Sequence, residues 1–152
     1  MSKIAIFPGS FSPFTLGHKS LLDRALPLFD KIIISIGINS DKKEYFSFKK
    51  RGKWIEDIYK NNNKIEVRCY EGLTIEFCEK VGAEYIIRGL RNSQDFHYEK
   101  NIAQTNKDLN PYIETIFIMT TASLSNISST IIRDIIKNGG DVSQYLPKEI
   151  NL

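Results

Sequence analysis

The chain has 152 residues, 41% hydrophobic and 26% charged, which suits one globular domain over 1–152 and excludes disordered and fibrous classes. A formal charge of +3 and two cysteines without CxxC spacing exclude a dedicated nucleic-acid face, a disulfide framework and a zinc cluster. No apolar run approaches membrane-spanning length and the N-terminus carries no signal-peptide pattern, so the expectation is a cytoplasmic protein with no membrane partner.

Ile4 to Phe7 reads as a first strand, followed by PGSFSPFTLGH at 8–18, a connection longer and richer in glycine, proline and serine than the roughly 2 to 6 residues a strand-to-helix turn usually needs. Leu21, Leu22, Ala25, Leu28 and Phe29 then recur at helical spacing. Further strands are expected at Ile32–Ile36, Ile65–Tyr70, Tyr85–Ile87 and Ile116–Met119. Several are apolar on successive residues, the mark of strands covered on both faces.

Between them, Trp54, Ile55, Ile58 and Tyr59 form one helical stripe, read as packing on the sheet, and Leu73, Phe77, Cys78 and Val81 form another. Tyr98, Ile102, Thr105 and Leu109 form a weaker stripe, and Ile131, Ile132, Ile135 and Ile136 a strong one running into Gly139-Gly140, a helix stop. Alternating strands and helices predict a doubly wound, Rossmann-like parallel sheet of five strands with helices on both faces. Its ligands are expected beyond the carboxyl ends of the strands.

Three of those ends carry anion-binding chemistry. Gly9, Ser10 and Gly17-His18 surround the first junction, where a helix start offers free N–H groups. Arg88 and Arg91 flank Gly89-Leu90 just past the fourth strand, and arginine forks bind phosphate bidentately. Ser125-Asn126-Ile127-Ser128-Ser129-Thr130 precedes the last helix, with more hydroxyls than an N-cap requires and Arg133 one turn further in. No catalytic triad, cysteine–histidine pair or metal-ligand cluster accompanies them. That inventory suits phosphoryl or nucleotidyl transfer, where positioning and charge neutralisation dominate.

With Thr15-Leu16-Gly17-His18 and Ile127-Ser128-Ser129-Thr130 in place, the chain resembles the T/HxGH nucleotidylyltransferases. It is most similar to the phosphopantetheine adenylyltransferases of bacterial coenzyme A synthesis, through PGSF, Lys42, RGLR at 88–91, Tyr98-Glu99 and ISST. The resemblance implies transfer of the adenylyl group of ATP to 4′-phosphopantetheine, giving dephospho-coenzyme A and pyrophosphate. The attack would be direct and in line, with Mg²⁺ held mainly by the ATP phosphates and no metal site in the protein.

The same resemblance assigns Ser10, Lys42, Thr74 and Arg88 to the phosphopantetheine side. It assigns Ser10, Phe11, His18, Gly89, Leu90, Arg91, Glu99, Leu124, Ser125, Asn126, Ile127, Ser128, Ser129 and Thr130 to ATP. Catalysis would rest on His18, Lys42 and Arg91, with His18 stabilising the transition state, and the assembly would be a homohexamer. Ser10 stands where threonine is frequent, Ser12 where aspartate is common, Thr74 where leucine or methionine is usual, and Leu124 and Asn126 in a stretch that often holds aromatics. Other readings are a nicotinamide mononucleotide adenylyltransferase or a cytidylyltransferase. A noncatalytic nucleotide- or RNA-binding module using the basic stretch from Lys42 to Lys53 is a third.

Overall fold

The computed structural model describes residues 1–152. Five parallel strands, β1 (Ile4–Gly9), β2 (Lys31–Gly37), β3 (Ile65–Tyr70), β4 (Tyr85–Leu90) and β5 (Glu114–Met119), form one sheet in the order β3-β2-β1-β4-β5. The registers Ala5↔Ile32 and Ala5↔Tyr85 put β1 at the centre. Helices α1 (Leu16–Ala25), α2 (Phe48–Ile58), α3 (Thr74–Val81), α4 (Ser93–Leu109) and α5 (Ser129–Lys137) complete the alternation.

Period-two alternation along the strands sorts the core into two layers. Ala5, Phe7, Ile32, Ile34, Ile36 and Ile87 join residues of α1, α2 and α5 and the tail residues Val142, Leu146 and Ile150. Ile6, Ile33 and Ile86 join Ile75, Phe77 and Cys78 of α3 on the opposite face. The doubly wound expectation is therefore met, and Trp54 and Tyr59 are buried against the sheet as expected. The winding reverses between β1 and β4, which places a topological switch point, and hence a crevice, beside Gly9 and Gly89.

Local chemistry sets the boundaries. The α1 helix stops at Ala25 because Pro27 turns the chain into a short 3₁₀ segment, so Leu28 is exposed instead of continuing the stripe, whereas Phe29 is buried. At the end of α5, Gly139 takes φ +77° while its N–H bonds the Ile136 carbonyl and the Gly140 N–H bonds that of Ile135. This is a Schellman stop, as the Gly-Gly pair predicts.

Three expectations need correcting. Arg88, Gly89 and Leu90 belong to β4 itself, since pairing with β5 continues to Leu90↔Met119, and only Arg91 lies beyond the strand. Ile131 is exposed, so the α5 stripe buries Ile132 fully and leaves its neighbour in solvent. The expected stripe of α4 is not buried: Tyr98, Ile102 and Leu109 are exposed, and Glu99 is the helix's one buried residue. A polar face of α4 is turned inward because it faces a crevice instead of a core.

Candidate active site

The crevice at the switch point has a volume of about 310 Å³ and is floored by β1 from Phe7 to Gly9, with Arg88 and Gly89 of β4 beside it. A second cavity of about 200 Å³ shares Pro8, Gly9, Arg88 and Glu99 with the first and extends over Tyr70, Thr74 and Asn106. The two open on a common wall, so occupants of both would meet at Arg88.

Thr15 caps α1: its Oγ1 accepts the His18 N–H at 3.3 Å, while His18 Nδ1 accepts the Thr15 N–H at 3.0 Å. Histidine thus takes the place that Glu or Gln fills in a reciprocal capping box, which explains why Thr and His stand three residues apart. With Nδ1 occupied as an acceptor, the imidazole proton resides on Nε2, the nitrogen left to face the crevice. The rings of Phe11 and Phe14 lie 5.0 Å and 5.3 Å from the imidazole, centre to centre. Burial among them, reinforced by the charges of Arg88 and Arg91, lowers the His18 pKa to about 4. At neutral pH His18 is a fixed, uncharged N–H donor.

Gly9 is required by close packing. A Cβ there would sit 2.8 Å from the Phe11 ring, which folds beneath the loop. Phe11 itself adopts φ +48°, a left-handed conformation that a bulky residue rarely takes, and the following Ser12-Pro13 bond is cis. The loop is held by side chains from outside: Arg88 Nη1 donates to Pro8 O at 2.8 Å, Arg133 Nη1 to Ser12 O at 2.7 Å, and Ser129 Oγ to Pro13 O at 2.8 Å.

The arginines are paired before any ligand arrives. Arg88 donates from Nε and Nη2 to the two carboxylate oxygens of Glu99, at 2.9 Å and 2.5 Å. Glu99, only 7% exposed, thereby fixes the guanidinium plane. Arg91 pairs with Asp95, Nε to Oδ2 at 3.0 Å, and the arginine's hydrogen bonds hold that carboxyl below the usual aspartate range. Asp95 also lines the crevice and was missed by sequence reasoning, although its place four residues after Arg91 and three after the cap Asn92 is a legible signal.

Of the predicted residues, the crevice gathers Ser10, Phe11, His18, Arg88, Gly89, Arg91, Glu99, Ile127, Ser128 and Ser129. Thr74 lines the second cavity, where its hydroxyl is 3.0 Å from that of Tyr70. Lys42 is not brought to either; it lines a separate shallow hollow with Asn39, Glu44 and Ser47. Leu124, Ser125, Asn126 and Thr130 lie outside the lining, as does Leu90, which is buried. Ser125 Oγ turns back to Ala122 O at 2.9 Å, and Thr130 Oγ1 accepts from Arg133 at 3.3 Å. No three His, Cys, Asp or Glu side chains converge as a metal cage, and no helix is long and apolar enough to cross a membrane.

Residues 6–135 match the cytidylyltransferase-like family. The phosphopantetheine adenylyltransferase of Flavobacterium psychrophilum is 53% identical over 97% of both chains. That of Cytophaga hutchinsonii is 51% identical over 99% of this chain and all of its own. Among solved structures, a putative nicotinate-nucleotide adenylyltransferase from Vibrio parahaemolyticus superposes with TM-score 0.70 at 23% identity, covering 98% of this chain and 96% of that one, a likeness of fold. By sequence, the chain belongs to the cytidylyltransferase-like family and, within it, to the phosphopantetheine adenylyltransferases.

Proposed function

We propose that this enzyme transfers the adenylyl group of ATP to 4′-phosphopantetheine, releasing pyrophosphate and dephospho-coenzyme A. The observation that carries the reading is the pair of cavities joined at Arg88, one edged by a helix start and hydroxyls, the other extending between β3, α3 and α4. ATP occupies the first, with its phosphates over Gly9 to Phe11, His18 and Ser129. The acceptor's pantetheine arm occupies the second, past Thr74, with its phosphate at Arg88.

A phosphate monoester is an anionic nucleophile at neutral pH, so no general base is needed to generate it. Its oxygen attacks the α-phosphorus of ATP in line, and the bond to the pyrophosphate oxygen breaks, with no enzyme-bound intermediate. The chain's task is to hold two polyanions together. Arg88 and Arg91, oriented by Glu99 and Asp95, offset the repulsion, and the His18 Nε2–H meets charge developing on the α-phosphoryl oxygens. A neutral imidazole suits that role, because its N–H donates a hydrogen bond yet is far too weak an acid to give its proton up to the phosphate.

Asp95 and Glu99 are both engaged by arginines and form no carboxylate cage. Mg²⁺ would be carried in on the nucleotide's phosphates. Lys42 is carried on the exposed loop after β2 and reaches the acceptor only if that loop folds over the crevice. The outward apolar residues of α4, Tyr98 at 69% exposed and Leu109 at 57%, would be covered by self-assembly, for which the resemblance implies a homohexamer.

Pyrophosphate release tests the reading. ATP with 4′-phosphopantetheine should give turnover, and ATP with nicotinamide mononucleotide or cytidylyl acceptors should not. Turnover with nicotinamide mononucleotide alone would overturn it.

A further inference from the structure

We propose that Arg51 is a positioning residue for the phosphate-binding loop: by holding the Ser10 carbonyl on the far side of the loop, it aims the Phe11 N–H into the crevice. The proposal rests on the nucleotide-binding reading above and adds a residue that lines neither cavity.

Arg51 lies on α2 and is 4% exposed. Its Nη1 donates to Ser10 O at 2.5 Å and its Nη2 to Glu44 Oε1 at 2.7 Å, while Nε reaches Ser47 O at 3.4 Å. A charge this buried must be paired, and Glu44 supplies the pairing. Pairing alone does not explain why the fork's remaining arm takes a carbonyl 41 residues away.

The explanation lies in the peptide unit. Ser10–Phe11 is trans, so the Ser10 C=O and the Phe11 N–H point in opposite directions. Ser10 and Phe11 both line the crevice and Arg51 does not. A carbonyl drawn toward Arg51 therefore sends the next N–H toward the crevice, and that N–H takes no part in the backbone hydrogen bonding. Were the same peptide flipped, the carbonyl oxygen would confront the incoming phosphates.

Pro8 and Ser12, on either side of Ser10, also give their carbonyls to arginines, Arg88 and Arg133, which anchor the loop without aiming an N–H, since Arg88 itself lines the crevice and Pro13 has no N–H. Alternate carbonyls at 8, 10 and 12 are thus each held by an arginine from a different element. Arg51 differs from the other two in also grasping Glu44, on the loop that bears Lys42.

The test is an amide titration on selectively ¹⁵N-phenylalanine-labelled protein, with steady-state kinetics alongside. In the wild type, MgATP should shift the Phe11 amide strongly. In Arg51→Lys, which keeps the charge and loses the fork, the shift should be abolished while the melting curve stays cooperative. The kcat of Arg51→Lys should fall at least ten-fold with KM for 4′-phosphopantetheine within three-fold, and Arg51→Met should fall further. A wild-type Phe11 amide indifferent to MgATP, or an Arg51→Lys protein that shifts and turns over like the wild type, would overturn the proposal. A wild type whose Phe11 responds to MgATP, with that response lost in Arg51→Lys, but which turns over no acceptor would refute the reaction and uphold the positioning role.

Discussion

His18 combines two functions that conflict in most side chains. It completes the cap of α1 through Nδ1 and presents Nε2–H to the crevice, so its orientation is fixed by backbone before a ligand binds. Replacing it with glutamine, which can also close a capping box, should leave the melting temperature nearly unchanged. By contrast kcat should drop on the order of 100-fold or more, with KM for ATP within a few-fold. Equal losses in both would argue for ground-state binding only. The lowered pKa has a second consequence. Because the folded value of about 4 lies below the ordinary 6.5, the unfolded chain takes up this proton first as pH falls. The associated stability is complete above about pH 6.5 and is lost between there and about pH 4, by at most roughly 3 kcal/mol. Urea unfolding of wild type and His18→Gln should show near-equal stabilities at pH 7, with the wild type losing more stability than the variant on going to pH 4.5. Gly9 makes a sharper structural demand, since a Cβ would meet the buried Phe11 ring. Gly9→Ala should cost about 1 to 3 kcal/mol in unfolding free energy and reduce kcat through displacement of the loop.

At the scale of elements, the caps hold the site together. Ser128 caps α5 by accepting the Ile131 N–H at 3.2 Å, which sets Ser129 where its hydroxyl can reach Pro13 O. Ser128→Ala should cost about 1 kcal/mol of stability, measurable as a shift in urea midpoint, and should raise KM for ATP because Ser129 loses its footing. The apolar runs of β1, β2 and β4 announced buried parallel strands, and the hydroxyl-rich turn before α5 announced its start. What the residues did not disclose was α4. Its apolar residues obey helical spacing, but periodicity cannot say which face is inward, and here a buried Glu99 paired to Arg88 decides the matter. The same limit concealed Arg51: a basic run at 49–53 reads as solvated surface until the fold brings Ser10 beside it. Lys42 shows the converse, a residue legible from resemblance that this conformation keeps on an exposed loop away from the crevice.

For the whole molecule, the strand order β3-β2-β1-β4-β5 alone places the crevice, because the winding reverses where β1 meets β4. The site draws on elements from Phe7 to Ser129, nearly the full length of the chain, so occupying it should tighten the whole fold. At about 100 times its dissociation constant, a nonhydrolysable ATP analogue contributes roughly 2.7 kcal/mol. A melting temperature raised by about 5 to 10 °C is the expected readout. The central claim is that these walls bring two phosphorylated molecules into line and contribute position and charge, with no covalent enzyme intermediate. Its most direct test is the stereochemical course at the α-phosphorus, followed with ATP made chiral there by a single sulfur. Inversion of configuration in the adenylylated product is the predicted result, the signature of one in-line displacement. Net retention would require two displacements through an adenylylated side chain and would contradict the account.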